Sequence, residues 1–210
     1  VAKPVIIIGA GGHAKVIVNA LQLSGVNIIG LTDANNALHG TSVLDCPVLG
    51  DDEIIRTYEK TGLNLVVGVG STEPDEIRRY IFERFLNDGY SFLTCVHPAA
   101  IVAPDVELGI GTQIMAGAIV QPGCMIGMNS IINTSASIDH DCRVGDHAHI
   151  APGAILGGTV TVGNGAHIGT NATVIENVFV GSEAMVAAGA CVTSDIDSNA
   201  RVAGIPAKAF

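Results

Sequence analysis

At 210 residues, 48% of them hydrophobic and only 14% charged, the chain is long enough to bury a sizeable core in one or two domains. A formal net charge of −10 argues against a nucleic-acid partner, and no apolar run reaches membrane-spanning length. The five cysteines (46, 95, 124, 142 and 191) contain no CxxC pair, so neither a disulfide scaffold nor a zinc site is expected. A reducing, cytoplasmic setting is expected, and the opening VAKPVIIIGAGG reads as a strand and turn rather than a signal peptide.

Residues 1–97 alternate strand and helix patterns. Val5-Ile6-Ile7-Ile8 is a short buried strand leading into Gly9-Ala10-Gly11-Gly12-His13-Ala14-Lys15. A helix is predicted from His13 to Leu23, with Val16, Ile17, Ala20 and Leu21 on one face. A second strand over Val26–Leu31 ends at Asp33, and Asp51–Thr61 reads as a helix capped by its leading acids. Leu65 to Gly70 is a third strand, Ser71 or Thr72 caps a helix reaching Leu86, and Tyr90–Val96 is the last strand. The alternation implies a small parallel α/β sheet of Rossmann type, with His97-Pro98 as the hinge out of it. Gly9-x-Gly11-x-x-Ala14 matches the dinucleotide fingerprint and Asp33 stands where a ribose-binding acid is expected. A bare strand-to-helix turn also fits this pattern. If a ligand binds, so short a domain suits one nucleotide better than two, with Gly70 on the same carboxyl edge.

Residues 98–210 obey a different rule. Every sixth residue from Val102 to Val192 is Val, Ile or Leu, without a break. The position four further on is restricted from Val106 to Ile196, and is mostly Ala, Ser, Cys or Thr. A strict six-residue period is the signature of a parallel β-helix, with three short strands per coil and coils about 4.8 Å apart. Inward aliphatic residues stack between coils, and small residues fill the corners, Cys124 and Cys142 among them. Left-handed or tightly packed turn positions suit Gly and Asn, as at Asn129 and Asn164.

The GAGGHAK turn, the hexads, the segment Ile132-Asn-Thr-Ser-Ala-Ser-Ile-Asp-His-Asp141 and the ending Arg201-Val-Ala-Gly-Ile-Pro-Ala-Lys208 together carry a resemblance. The whole chain resembles the bacterial hexapeptide-repeat sugar acyltransferases of the sialic acid O-acetyltransferase group. That group includes the N-acetyltransferases of nucleotide-linked 4-amino sugars of bacillosamine and perosamine type. The resemblance implies a left-handed β-helix, a homotrimer, and acetyl-CoA as co-substrate in the cleft between neighbouring β-helices, with a place in glycan biosynthesis.

His140 stands two places after inward Ile138, on an outer surface otherwise poor in titratable groups. Acyl transfer to an amine needs a base, and an imidazole with a pKa near 6.5 suits that work, although a solvated surface histidine has the same spacing. The family's catalytic histidine falls on His140, and its acidic partner falls on Asp141, where relatives often carry Glu; Asp139 is a second candidate. Acetyl-CoA contacts carry over to His149, Gly158, Thr170 and Ala188, the last two with side chains unlike the family's. Gly158, eighteen residues after His140, shares its face one coil along, so its N–H is placed to stabilise an oxyanion. Sugar-nucleotide contacts carry over to Gly11, Gly12, His13, Asp33 and Gly70, with Ala34 replacing a second acid found in some members. His167, one coil beyond His149 in the same column, is expected at a solvated edge, with a place bordering the coenzyme as the alternative. The spacing of His140, His147, His149 and His167 does not match the three zinc-binding histidines of γ-class carbonic anhydrases. The expected activity is therefore N-acetylation of a nucleotide-linked amino sugar, at C4, with His140 as general base. The alternatives are O-acetylation of a sugar hydroxyl and a non-catalytic nucleotide-sugar binding module.

Overall fold

The structure, a computed structural model, describes residues 3–71 and 76–210. Among these, residues 3–70 and 76–98 form one compact unit, and Ser71 with residues 99–210 forms another.

The first unit is built on β1 (Val5–Ile8), a fully buried aliphatic strand. It continues with α1 (Gly12–Leu23), β2 (Ile28–Thr32), β3 (Ser42–Val43), β4 (Cys46–Gly50), β5 (Asn64–Val67), α2 (Glu76–Asn87) and β6 (Ser91–Phe92). The sheet order is β3-β4-β2-β1-β5-β6, parallel throughout except for the β3–β4 hairpin. That hairpin has no counterpart among the strands expected from the sequence; its turn residues Leu44 and Asp45 both have positive φ and carry no glycine signal. Leaving the hairpin strand aside, the chain winds outward in both directions from β1, so the order reverses between β1 and β5. Ligands of open α/β sheets bind at the carboxyl ends of the strands flanking such a switch point.

One local expectation changes. Asp51 does cap, accepting the Glu53 N–H at 3.0 Å, but it caps a 3-10 helix, Asp52–Thr57, which gives way to a separate turn, Lys60–Gly62. Only Ile55 of the first piece is buried, so no apolar face holds a continuous α-helix there. The cap expected at Thr72 lies outside the described residues. α2 is described from Glu76, so its start and any cap there lie outside the described residues as well; the Ser71 hydroxyl meets His149 Nδ1 at 2.9 Å.

In the second unit each strand from Ile101–Val102 to Cys191–Val192 is two residues long, and those eighteen residues apart pair in parallel. Gln113–Ile114, Ile131–Ile132, His149–Ile150, His167–Ile168 and Met185–Val186 run through one sheet. Ile119–Val120, Ser137–Ile138, Ile155–Leu156 and Thr173–Val174 run through a second. Met125–Ile126, Arg143–Val144, Thr161–Val162 and Phe179–Val180 run through the third. The aliphatic column and the small-residue column are both buried from Ile114 onward and form one continuous core.

The period has a finer structure. Every sixth residue from Gly111 to Gly189 adopts positive φ, whether Gly, Asn, Ser, Asp, His, Thr or Glu. The glycines directly after the aliphatic residues serve another need, close approach of the next coil: a Cβ on Gly127 would lie 2.5 Å from the Asp146 nitrogen. Asn164 is not left-handed; Gly165 is, and the Asn164 side chain accepts the Asp146 N–H at 2.9 Å. The final coil is also two residues short. Ile196 pairs with Val180, and Val202 with Val186, so Ile196 belongs to the aliphatic stack rather than to the small column. Cys124 and Cys142 donate to the Asp139 and Gly157 carbonyls inside a corner. Burial pushes the Cys142 thiol up to about 12, so it packs rather than reacts.

Candidate active site

His140 and Asp141 form the turn that leaves the second sheet for the third. Asp141 occupies the left-handed position of that turn, with φ +59°, and its N–H is held by the Pro122 carbonyl at 3.0 Å. Its carboxylate then lies beside its own neighbour: Oδ2 is 2.8 Å from His140 Nδ1. Asp139 Oδ1 accepts the His140 N–H at 2.8 Å, which fixes the backbone from the other side. The hydrogen bond to Asp141, and then the charge of Asp139, raise the His140 pKa above its usual value. A carboxylate only accepts, so in the neutral ring Nδ1 carries the proton and Nε2 carries the lone pair.

That lone pair has a defined neighbour. A Cβ built on Gly158 would stand 2.7 Å from His140 Nε2 and 2.8 Å from Cε1. The eighteen-residue spacing thus places Gly158 directly beneath the imidazole, and only glycine leaves the ring its place. Below it, Thr159 N–H holds the His140 carbonyl at 2.9 Å, and Thr159 Oγ1 bonds Asn177 Oδ1 at 2.7 Å. Thr159 and Asn177 went unnoticed in the sequence, although the period marks them as the next two residues in the Asp141 column.

The remaining residues expected at the acetyl-CoA site gather elsewhere on the β-helix. His149, Thr170 and Ala188 line a cavity of about 340 Å³ together with Ser71, Asn133 and His167. His149 is 5% exposed; Nδ1 is 2.9 Å from Ser71 Oγ and Nε2 is 3.0 Å from Asn133 Nδ2. His167 packs edge-on against it at 4.9 Å between centroids and is equally buried, so the expected solvated edge is corrected. Ser71 and Asn133 were missed as site residues. The partner of Ser71 is 78 residues away, a distance no local pattern reports. Among the described residues no three His, Cys, Asp or Glu side chains converge as metal ligands. Nor is any described helix long and apolar enough to cross a membrane.

In the first unit, Gly9 (φ +101°) turns the chain out of β1, and a Cβ there would meet Val69 at 2.9 Å. Gly11 and Gly12, by contrast, face open space at the start of α1. Asp33 binds this turn to the end of β2: Oδ2 accepts the Ala10 N–H and Oδ1 the Asn35 N–H, each at 2.8 Å. Gly70 closes against His13, where a Cβ would lie 3.1 Å from the His13 Cβ. All five residues expected at the nucleotide site therefore surround the carboxyl ends of β1, β2 and β5.

Residues 4–85 match the PglD N-terminal domain family. A comparison with curated proteins returned no match. Among solved structures, a histidine-to-asparagine mutant of perosamine N-acetyltransferase from Caulobacter crescentus, in complex with CoA and GDP-perosamine, superposes with a TM-score of 0.92. It is 36% identical, over 100% of this chain and 98% of its own. The acetyltransferase domain of PglB from Neisseria gonorrhoeae, in complex with acetyl coenzyme A, is 34% identical over 100% of both chains, with a TM-score of 0.92. WeeI from Acinetobacter baumannii shares the fold at 22% identity and a TM-score of 0.82. The chain belongs to the hexapeptide-repeat acyltransferases of nucleotide-linked amino sugars, and its prism is their left-handed parallel β-helix.

Proposed function

We propose that the protein transfers the acetyl group of acetyl-CoA to the amine of a nucleotide-linked amino sugar, at C4. The observation that carries this reading is the whole-chain similarity to an enzyme bound to CoA and GDP-perosamine. The first unit holds the nucleotide. Gly11 and Gly12 leave room for a phosphate against the N–H groups that open α1, and the oxygens of Asp33 keep lone pairs for a ligand hydroxyl. In the β-helix His140 Nε2 takes a proton from the amine as its nitrogen attacks the thioester carbon. Asp141 holds Nδ1–H and stabilises the imidazolium. The Gly158 N–H stabilises the oxyanion, which collapses with cleavage of the C–S bond, and CoA leaves as the thiol after protonation.

We further propose a homotrimer. His140 and Gly158 stand in the turns from the second sheet to the third, whereas Thr170 and Ala188 stand in the turns from the first to the second. One donor touching both sets is served by two copies side by side. Exposed apolar residues along the β-helix, among them Met125, Ile155 and Phe179, are available for such packing.

A panel of UDP-, GDP- and CMP-linked amino sugars and their hydroxyl counterparts, assayed for thiol release with the product identified by mass spectrometry, tests the activity. An amide product from an amino sugar is expected; an ester as the main product, or no release with any acceptor, contradicts it. Sedimentation tests the assembly, and a monomer with full turnover contradicts the shared site.

A further inference from the structure

The hydrogen bonds around His149 determine where each proton lies. The Thr134 backbone N–H can only donate, and it meets Asn133 Oδ1 at 2.8 Å. The other end of that amide, the Nδ2 group, therefore faces His149 Nε2 at 3.0 Å and donates to it. Nε2 must then be bare, so the ring carries its proton on Nδ1. Nδ1–H in turn donates to Ser71 Oγ at 2.9 Å. A doubly protonated ring would set N–H against N–H at Asn133, so the arrangement also keeps His149 neutral. Ser71 receives one hydrogen bond and, among the described residues, gives none.

The cavity in which this hydroxyl stands is the one lined by Thr170 and Ala188. His149 cannot accept the Ser71 proton at Nδ1, because a proton is already there; an acyl-serine formed with His149 as base is therefore excluded. The hydroxyl instead offers a single directed donor to an uncharged acceptor. We infer that Ser71 donates a hydrogen bond to a carbonyl oxygen on the reactive arm of coenzyme A, with His149 and Asn133 acting as positioning residues that hold its proton outward. This rests on the acyl-CoA reading above and assigns a role within it to a residue outside the repeat sequence.

The test combines kinetics with the state of the ring. Ser71→Ala is expected to raise KM for acetyl-CoA about five- to tenfold, the effect of one neutral hydrogen bond, with Ser71→Thr close to wild type. Asn133→Asp presents an acceptor to Nε2, draws the ring proton there and turns the Ser71 hydroxyl inward onto Nδ1. It is expected to reproduce the Ser71→Ala loss with the serine intact. NMR of 15N-histidine-labelled protein is expected to show His149 protonated on Nδ1 in the wild type and on Nε2 in Asn133→Asp. Equal losses for CoA and acetyl-CoA binding in Ser71→Ala assign an amide carbonyl of the arm; a loss confined to acetyl-CoA assigns the thioester. Wild-type acetyl-CoA kinetics in Ser71→Ala, or Nε2 protonation in the wild type, overturns the inference while leaving the activity standing. A wild-type protein that neither binds CoA nor releases thiol overturns both.

Discussion

Glycine means different things in the two units. In the β-helix, the glycines after the inward aliphatic residues are crowded by the chain itself: a Cβ on Gly169 would stand 2.6 Å from the Ala188 nitrogen and the Val186 oxygen. At the start of α1, Gly11 and Gly12 have nothing within 4 Å. Glycines of the first kind let coils stack at strand spacing and are structural. Those of the second kind keep a space clear that the protein does not itself fill. Gly158 belongs to neither class, since the atom it clears is not backbone but the His140 imidazole.

The sharpest break is removal of that imidazole. His140→Ala is expected to lower kcat about 100- to 10,000-fold at unchanged thermal stability, because the ring is exposed and makes no core contact. Turnover within a few-fold of wild type would remove His140 from the mechanism. Gly169→Ala and Gly158→Ala then separate structural from catalytic crowding. The first forces backbone apart between coils and is expected to cost about 3 kcal/mol in denaturant unfolding. The second displaces only an exposed ring and is expected to lower kcat roughly 10- to 100-fold with little change in unfolding. Equal stability losses in the two variants would contradict the distinction. Gly11→Ala is milder: its Cβ meets open space, so folding is unaffected, while KM for the nucleotide sugar is expected to rise about tenfold. A raised KM for acetyl-CoA alone would place the donor, not the nucleotide, against that turn.

The two units also differed in how much of them the sequence displayed. The β-helix repeats one local rule, so its strands, its core and the pairing of His140 with Gly158 come from counting. Even there the last coil departs from the count, because Ile196 satisfies the apolar rule equally well two residues out of phase. Only its pairing with Val180 reveals the slip. The left-handed column was hidden by its mixture of residue types, and with it the reason why the short Asp141 carboxylate reaches Nδ1 of its neighbour. In the first unit β1 and its glycine turn stood out as an apolar run ending in breakers. The β3–β4 hairpin did not, since Leu44 and Asp45 adopt conformations that neither residue advertises. The Ser71–His149–Asn133 array arises from contacts far apart in the chain and had no local signature at all.

The smallest expected effect bears most directly on the central claim, that His140 removes the amine's proton. A general base must be unprotonated, so kcat/KM falls as pH drops through the His140 pKa, which the Asp141 hydrogen bond and the Asp139 charge raise. Asp141→Asn removes the larger of these causes and lowers that pKa. The decisive measurement is the acid limb of the kcat/KM profile in wild type and in Asp141→Asn. The account predicts that the limb moves to lower pH in the variant, with a reduced plateau from the weaker base. A limb that stays in place would belong to the substrate's own ammonium group and would contradict the assignment of His140 as the base.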